Sequence, residues 1–527
     1  MKRRLAYSGL ALVALLLVLG VRGSSPITAA PSDSADVSLR TFTQMLDLIE
    51  RNYIDEVKSK KLIHGAIRGM LSTLDPHSTF LDAKTYREMR EEQKGSFSGL
   101  GIVISMKGED KQLTVISPID GTPAFRAGIR AGDHIAEIEG ESTHGISIDD
   151  ALNKLRGPKG TKVTITIQRE GYDQPLEFTL VRDDIPTVSI PSAFLIRPSI
   201  GYVRIKNFTQ TTDSELKEKL HKLKVQGMKK LILDLRWNPG GLLEQAVRVS
   251  DRFLKRDAMI VYTKGRLKRE SDREYHAVSR TEKFTMPLII LVNKGSASAS
   301  EIVSGAMQDH DRALVVGTTT WGKGLVQTVY PLSMRTGLAL TTAKYYTPSG
   351  RLIQRDYRSF EDYVSGKNIA PEDQRQTRFT DSGRTVRGGG GISPDVVVEL
   401  DEPDKFVDML ERKMAFFDFS VVHITNHPEP PDPDTFEITP DILDEFKKFL
   451  RGKEIAFEED QIQKNLAYIK LAIKAEILAY HLGMQARLRV LAERDNQIQK
   501  AIELFAQGTH LPLMAEHEQP AKKAPAA

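Results

Sequence analysis

Four short apolar runs constrain this chain more than anything else in it: Gly201-Tyr-Val-Arg-Ile205, Lys230-Leu-Ile-Leu-Asp-Leu235, Leu288-Ile-Ile-Leu-Val292 and Ala313-Leu-Val-Val316. All are bounded by turns and lack the polar alternation of a strand with one wet face. Such runs need cover on both sides, which a sheet layered with helices supplies. They alternate with helical segments from Ile200 to about Leu400, so this stretch reads as an α/β layer. The chain has 527 residues, enough for several domains with buried cores.

Within that layer stands Gly295-Ser-Ala-Ser-Ala-Ser-Glu301, followed by Trp321-Gly-Lys323-Gly. A small-residue turn places a serine at the start of a helix expected over Ser298 to Asp309. A serine hydroxyl attacks only when a neighbouring base takes its proton. Histidine is the usual base, but Ser-Lys pairs follow the same logic. The nearest downstream histidine, His310, lies at the far end of that helix, roughly 18 Å away at 1.5 Å per residue. Ser298-x-x-Glu301 is also a capping box, so these residues alone leave Ser298 as either a helix cap or a nucleophile.

Composition removes several alternatives. With no cysteine, thiol catalysis, disulfides and thiolate zinc sites are excluded. No His-Glu-x-x-His occurs, so the usual zinc-protease helix is absent and no metal is expected. Net charge is +4 from 74 basic and 70 acidic residues, with no basic stripe that would recruit nucleic acid. Met1-Lys-Arg-Arg4 precedes an apolar stretch ending at Arg22, long for a signal peptide and short for a membrane span. Export is expected, with residues 1–30 either a cleaved leader or a membrane anchor.

The rest of the chain divides by pattern. Residues 36–94 read as a helical subdomain, whose stripe of Phe42, Leu46, Ile49 and Tyr53 is expected to pack against partner helices. Residues 95–183 carry short strands (Val103 to Met106, Leu113 to Ile116, His134 to Ile138, Lys162 to Gln168, Leu176 to Val181) with helical inserts at Pro123 to Gly128 and Ile148 to Leu155. Residues 184–420 hold the α/β layer, 421–440 a proline-rich linker and 441–510 a helical region. There Ile462, Leu466, Ile469, Ile473, Ile477, Tyr480 and Met484 keep helical spacing, to dock on the core or on a second copy. Residues 511–527 read as a disordered tail.

In this order, Leu-Asp-Pro-His-Ser (74–78), Gly-Leu-Gly-Ile (99–102), Ala-Gly-Ile-Arg-Ala-Gly-Asp (127–133), Leu-Arg-Gly (155–157), Asp-Leu-Arg-Trp-Asn-Pro-Gly-Gly (234–241), Gly-Ser-Ala-Ser-Ala-Ser-Glu (295–301), Gly-Lys-Gly (322–324), Tyr-Thr-Pro-Ser-Gly-Arg (346–351) and Gly-Ile-Ser-Pro-Asp (391–395) resemble the carboxyl-terminal processing, or tail-specific, proteases. The resemblance implies a mixed α+β multidomain fold: an N-terminal helical segment, a PDZ domain, a crotonase-like protease core and a C-terminal helical extension. It implies Ser298 as nucleophile and Lys323, 25 positions on, as general base. A free lysine titrates near 10.4 and must be neutral to accept a proton, so a dry wall from Trp321 and Leu325 is expected. Gln327 would hold the amine. Along a straight strand it would lie ~13 Å from Lys323, so a bend at Gly324 is expected.

The resemblance also assigns the oxyanion donors to the N–H of Ala299 with Gly240 or Gly241. In the PDZ segment, Leu100, Gly101 and Ile102 would receive a chain-terminal carboxylate, and the strand through Val103 and Ile104 would pair with the incoming peptide. Ile148, Leu152 and Leu155 would wall the pocket for its last side chain. Arg156 is implicated in a regulatory switch. No cofactor is implied. The expected partners are proteins captured by their C-terminal tails, with a second copy, the membrane and an adaptor or activator left open. The expected location is the bacterial periplasm or cell envelope. The rival reading is a catalytically latent PDZ scaffold. A trypsin-like enzyme is disfavoured because no Gly-Asn-Ser-Gly-Gly loop occurs.

Overall fold

A computed structural model describes residues 33–107, 111–278, 282–357, 360–365 and 370–508. The proposed export segment and the tail over residues 511–527 lie outside them. None of the described helices is long and apolar enough to cross a membrane. The chain forms two units, one ending at Asp75 and one beginning at Pro76.

The first unit contributes helices Asp33–Asn52 and Ser59–Ser72. The stripe expected to be a packing face is largely solvent-facing: Val37, Leu39, Phe42, Met45, Leu48, Ile49 and Tyr53 are all exposed.

In the second unit the four apolar runs form the expected layer. The strands lie in the order Ser192–Arg197, Ile200–Arg204, Lys230–Asp234, Leu288–Val292, Leu314–Gly317, Val396–Val397. The first pair is antiparallel and the others parallel. Leu231, Leu233, Leu288, Ile290 and Val292 enter one core with helices Thr212–Val225, Leu243–Asp251 and Ala299–Asp309. Their neighbours Ile232, Ile289 and Leu291 enter another, covered by Ile498, Ala501 and Phe505 of helix Asn496–Gln507. Period-two alternation between two apolar cores explains why the runs show no polar face.

A second, five-stranded sheet is built on Gly337–Tyr346, which pairs with Thr79–Leu81, Leu325–Pro331 and Met259–Gly265. Thr79–Leu81, assigned by sequence to the helical subdomain, is therefore a strand of the protease core. Between these elements lies a six-stranded β domain whose spatial order is Ile102–Lys107, Gln112–Pro118, His134–Ile138, Lys162–Gln168, Leu176–Val181, with Glu141–Ser142 on His134–Ile138. The chain enters and leaves it through paired strands Ser96–Gly99 and Asp183–Pro186.

The helical region starts earlier than its linker suggests. Helices Lys405–Arg412 and Ala415–Asn426 bring Phe406, Leu410, Phe416 and Phe419 into one core with Phe446, Ile462, Ile469, Ile473 and Ile477. The span 427–439 alone separates them from helix Pro440–Gly452. The long stripe expected from Ile462 is broken into Glu459–Lys464, Leu466–Leu482 and Met484–Ala492. Ile462, Ile469, Ile473 and Ile477 are buried within this domain, whereas Met484 is exposed.

Candidate active site

Ser298 ends the turn that follows the buried strand Leu288–Val292 and stands at the N-cap of helix Ala299–Asp309. Its backbone is strained, with φ +55° and ψ −112°, a conformation costing about 1–3 kcal/mol in a non-glycine residue. Neighbouring hydrogen bonds hold it there. The buried Asn238 offers its carbonyl to the Ala297 N–H (3.0 Å) and to the Ser300 hydroxyl (2.9 Å). Asn293 accepts from the N–H groups of Trp237 and Gly295, both at 2.9 Å. The capping box also forms, so capping and a half-buried, strained serine coexist.

Glu301 is the centre of the arrangement. Its carboxylate is fully buried and accepts four hydrogen bonds: Ser298 N–H (2.7 Å), Lys323 N–H (2.9 Å), Gly322 N–H (2.6 Å) and the Thr320 hydroxyl (2.6 Å). Burial raises its pKa to about 7, with those hydrogen bonds opposing the rise. A second group joins the same two segments. The buried Tyr345 hydroxyl donates to the Lys323 carbonyl and lies 3.1 Å from the Ser298 carbonyl. Burial, then the nearby Glu301, push its pKa well above the ordinary phenol value. The backbones of Ser298 and Lys323, 25 positions apart in sequence, are thus held by the same carboxylate and the same hydroxyl.

Leu325 is buried and Trp321 half-buried beside the lysine loop. The Trp321 indole donates to the Tyr363 hydroxyl (2.9 Å), and Arg355 lies 4.3 Å over its ring. Gln327 lies on strand Leu325–Pro331, and its amide donates to Thr341 Oγ1 at 3.2 Å. The irregularity expected at Gly324 falls between Val326 and Gln327, where the pairing register shifts. Gly324 instead packs against Gln354 and donates its N–H to Gln354 Oε1 at 2.8 Å. His310 sits at the far helix end between Asp381 and the Met259 carbonyl.

Gly240 brings the Asn238-Pro-Gly-Gly turn against the serine. A Cβ there would meet Ser298 Cβ and the Ala297 carbonyl at 2.8 Å and the Ala299 nitrogen at 3.0 Å. The Gly240 N–H is already given to Asn238 Oδ1 at 2.9 Å. Glu301, Tyr345, Asn238, Asn293 and Thr320 were not singled out by sequence reasoning, except Glu301 as a cap. The acid and the serines of the 295–301 run were visible signals, but their partners come from distant segments.

In the β domain, strand Ile102–Lys107 lies at the sheet edge, paired among the described residues with Gln112–Pro118 alone. Gly101 has φ +78°, and a Cβ there would fall 2.3 Å from Thr122 Cβ. Val103 is exposed, Ile102 and Ile104 half-buried. The Leu100 side chain belongs to the domain core, as do Ala151 and Leu155. Leu155 is therefore a core residue rather than the pocket wall expected, and of the three apolar residues named on that helix Ile148 is the exposed one. Arg156 caps the helix with its guanidinium 4.6 Å over the Phe97 ring.

Comparison with known proteins matches residues 199–359 to peptidase family S41 and 114–169 to the PDZ domain. Residues 24–85 match the N-terminal domain of the activating protease CtpB, and 406–461 the C-terminal helical domain of a probable PDZ-protease. A carboxy-terminal-processing protease of Bartonella bacilliformis is 40% identical over 403 residues, covering 76% of this chain and 83% of that one. The carboxy-terminal processing protease CtpA of Bacillus subtilis is 33% identical over 387 residues, covering 72% and 79%. The solved photosystem II D1 C-terminal processing protease is 28% identical, covering 68% and 92%, at a TM-score of 0.35.

Proposed function

The chain belongs to the carboxy-terminal processing proteases of peptidase family S41, with a PDZ domain, and on that premise we propose an exported endopeptidase that takes proteins by their C-terminal tails and cuts them through a Ser298–Lys323 dyad. Ser298 Oγ attacks the scissile carbonyl while the neutral Lys323 amine takes its proton. The same amine, now protonated, delivers a proton to the leaving nitrogen, and water then releases the acyl group from Ser298. The observation carrying this reading is the double tie of Glu301 and Tyr345 between the two backbones.

Ala299 and Gly241 supply the oxyanion donors. Ala299 opens a helix, whose N-terminus favours negative charge, and the Gly240 N–H is committed to Asn238. Gln327 steadies the amine from the adjacent strand. A tail pairs with the edge strand through Val103 and Ile104, its carboxylate at Leu100, Gly101 and Ile102. Arg156, stacked on Phe97 where the β domain joins the core, takes part in coupling capture to cleavage. The N-terminal segment directs the protein to the periplasm or envelope, and the exposed apolar face of the first helices suits a second copy.

The test uses protein lacking residues 1–30 with an unstructured substrate ending in Leu-Ala-Ala, free or amidated at its C-terminus. Cleavage of the free form alone, abolished in Ser298→Ala and in Lys323→Ala while tail binding persists, is the expected result. Wild-type turnover in Lys323→Ala would remove the lysine base. Binding without cleavage by the unmodified chain would favour the latent scaffold.

A further inference from the structure

Outside the catalytic region, helix Ala415–Asn426 and its cap present His423 and His427, one helical turn apart, to Glu445 of helix Pro440–Gly452. His423 Nδ1 lies 2.7 Å from Glu445 Oε2, and His427 Nε2 lies 3.5 Å from Glu445 Oε1. The two imidazoles stand 4.6 Å apart between centroids, and all three potential ligand atoms fall within 4.8 Å of one another. We propose that His423, His427 and Glu445 form a binding site for a zinc-class divalent cation that staples the helical domain.

Metal–nitrogen and metal–oxygen bonds to zinc run about 2.0–2.1 Å, so neighbouring ligands of a tetrahedral ion stand roughly 3.3 Å apart. The imidazole–carboxylate spacings, 2.7 Å to Oε2 and 3.5 Å to Oε1, lie close to that value, one to each oxygen of the carboxylate. Two imidazoles with one carboxylate suit zinc or its neighbours rather than calcium or magnesium, which prefer all-oxygen shells. Water would complete the fourth position, since His427 is exposed and Glu445 half-buried while His423 is 9% exposed and packs on Phe419. Phe419 itself packs on Phe446 and Phe449, so the inner ligand is anchored in the domain core. A search for thiolates or His-Glu-x-x-His passes over this site, because its third ligand comes from another helix.

The cation would close the span 427–439 near both its ends. It would also fix a helix whose Asp418 and Phe417 hold Lys107, at the end of the PDZ edge strand. The competing arrangement is a carboxylate that merely accepts from two imidazoles, with no affinity for metal.

The experiment titrates Zn²⁺ into the untagged full chain after stripping with EDTA, reading heat of binding and thermal unfolding. One saturable equivalent and a rise in Tm with Zn²⁺ are expected, since a ligand of the folded state stabilises it by mass action. His427→Ala, at an exposed helix end, should keep the metal-free Tm but lose both the binding and the rise. Glu445→Gln should lose them as well. Absence of saturable binding in the wild-type chain, or binding unchanged in both variants, would overturn the site.

Discussion

Replacing Tyr345 by phenylalanine isolates one of the two ties between Ser298 and Lys323. The change removes a single buried oxygen and keeps the ring, so packing is preserved. The Ser298 carbonyl loses little, because it also accepts from the N–H groups of Glu301 (2.8 Å) and Ile302 (3.0 Å). The Lys323 carbonyl loses the Tyr345 hydroxyl. Leaving one buried acceptor without that donor costs about 1–3 kcal/mol. If the whole loss falls on placement of the lysine in the transition state, kcat drops by roughly 5- to 150-fold. The proposed tail-binding surface lies in another domain, so KM should hold. Tyr345 titrates far above its ordinary range and is a donor at every working pH, so the defect should not vary with pH. Steady-state cleavage of a free-carboxylate substrate from about pH 6 to 9 measures all three quantities. A Tyr345→Phe enzyme with wild-type kcat, or one whose defect appears only in KM, would refute the argument that this hydroxyl positions the lysine.

Two further substitutions probe the β domain and the buried carboxylate. Gly101→Ala forces a side chain into a left-handed position costing about 1–2 kcal/mol and drives Cβ into Thr122. Affinity for a tail peptide, read by fluorescence anisotropy, should weaken about tenfold or more while kcat at saturation is kept; unchanged affinity would move the carboxylate site elsewhere. For Glu301→Gln the readout is stability against pH. The carboxyl rises from 4.5 unfolded to about 7 folded through burial. Its contribution is therefore full below pH 4.5 and lost as pH climbs to about 7, a change on the order of 3 kcal/mol. Glutamine does not ionise, so urea unfolding at pH 5 and pH 8 should show a smaller difference in the variant than in the wild type. Equal differences would mean that Glu301 does not titrate in that range.

Elements whose pattern is local were legible. Strands Leu288–Val292, His134–Ile138, Lys162–Gln168 and Leu176–Val181 fall where composition and alternation set them, because burial of alternate residues is written in the chain itself. The mixed fold with its PDZ domain followed from motif order and is borne out by the family comparison. What depends on distant partners was not legible. Thr79–Leu81 is too short to announce itself and becomes a strand only beside Gly337–Ala339. Nothing in Asn496–Gln507 says that its apolar face closes the back of the protease sheet. Glu301 reads as an ordinary cap until the loop carrying Thr320, Gly322 and Lys323 folds onto it. The bulge at Val326–Gln327 likewise depends on pairing with the long strand opposite.

The shared hold on residues 298 and 323 limits how a dormant form of this protease could be built. Sliding the lysine loop alone would strip a buried carboxylate of up to three of its four donors, and buried charges without partners are expensive. The separation of the two backbones is therefore a stiff coordinate. What the surrounding domains can vary with little energy is the path by which a peptide reaches the serine. Control over this enzyme would then fall on admission rather than on chemistry.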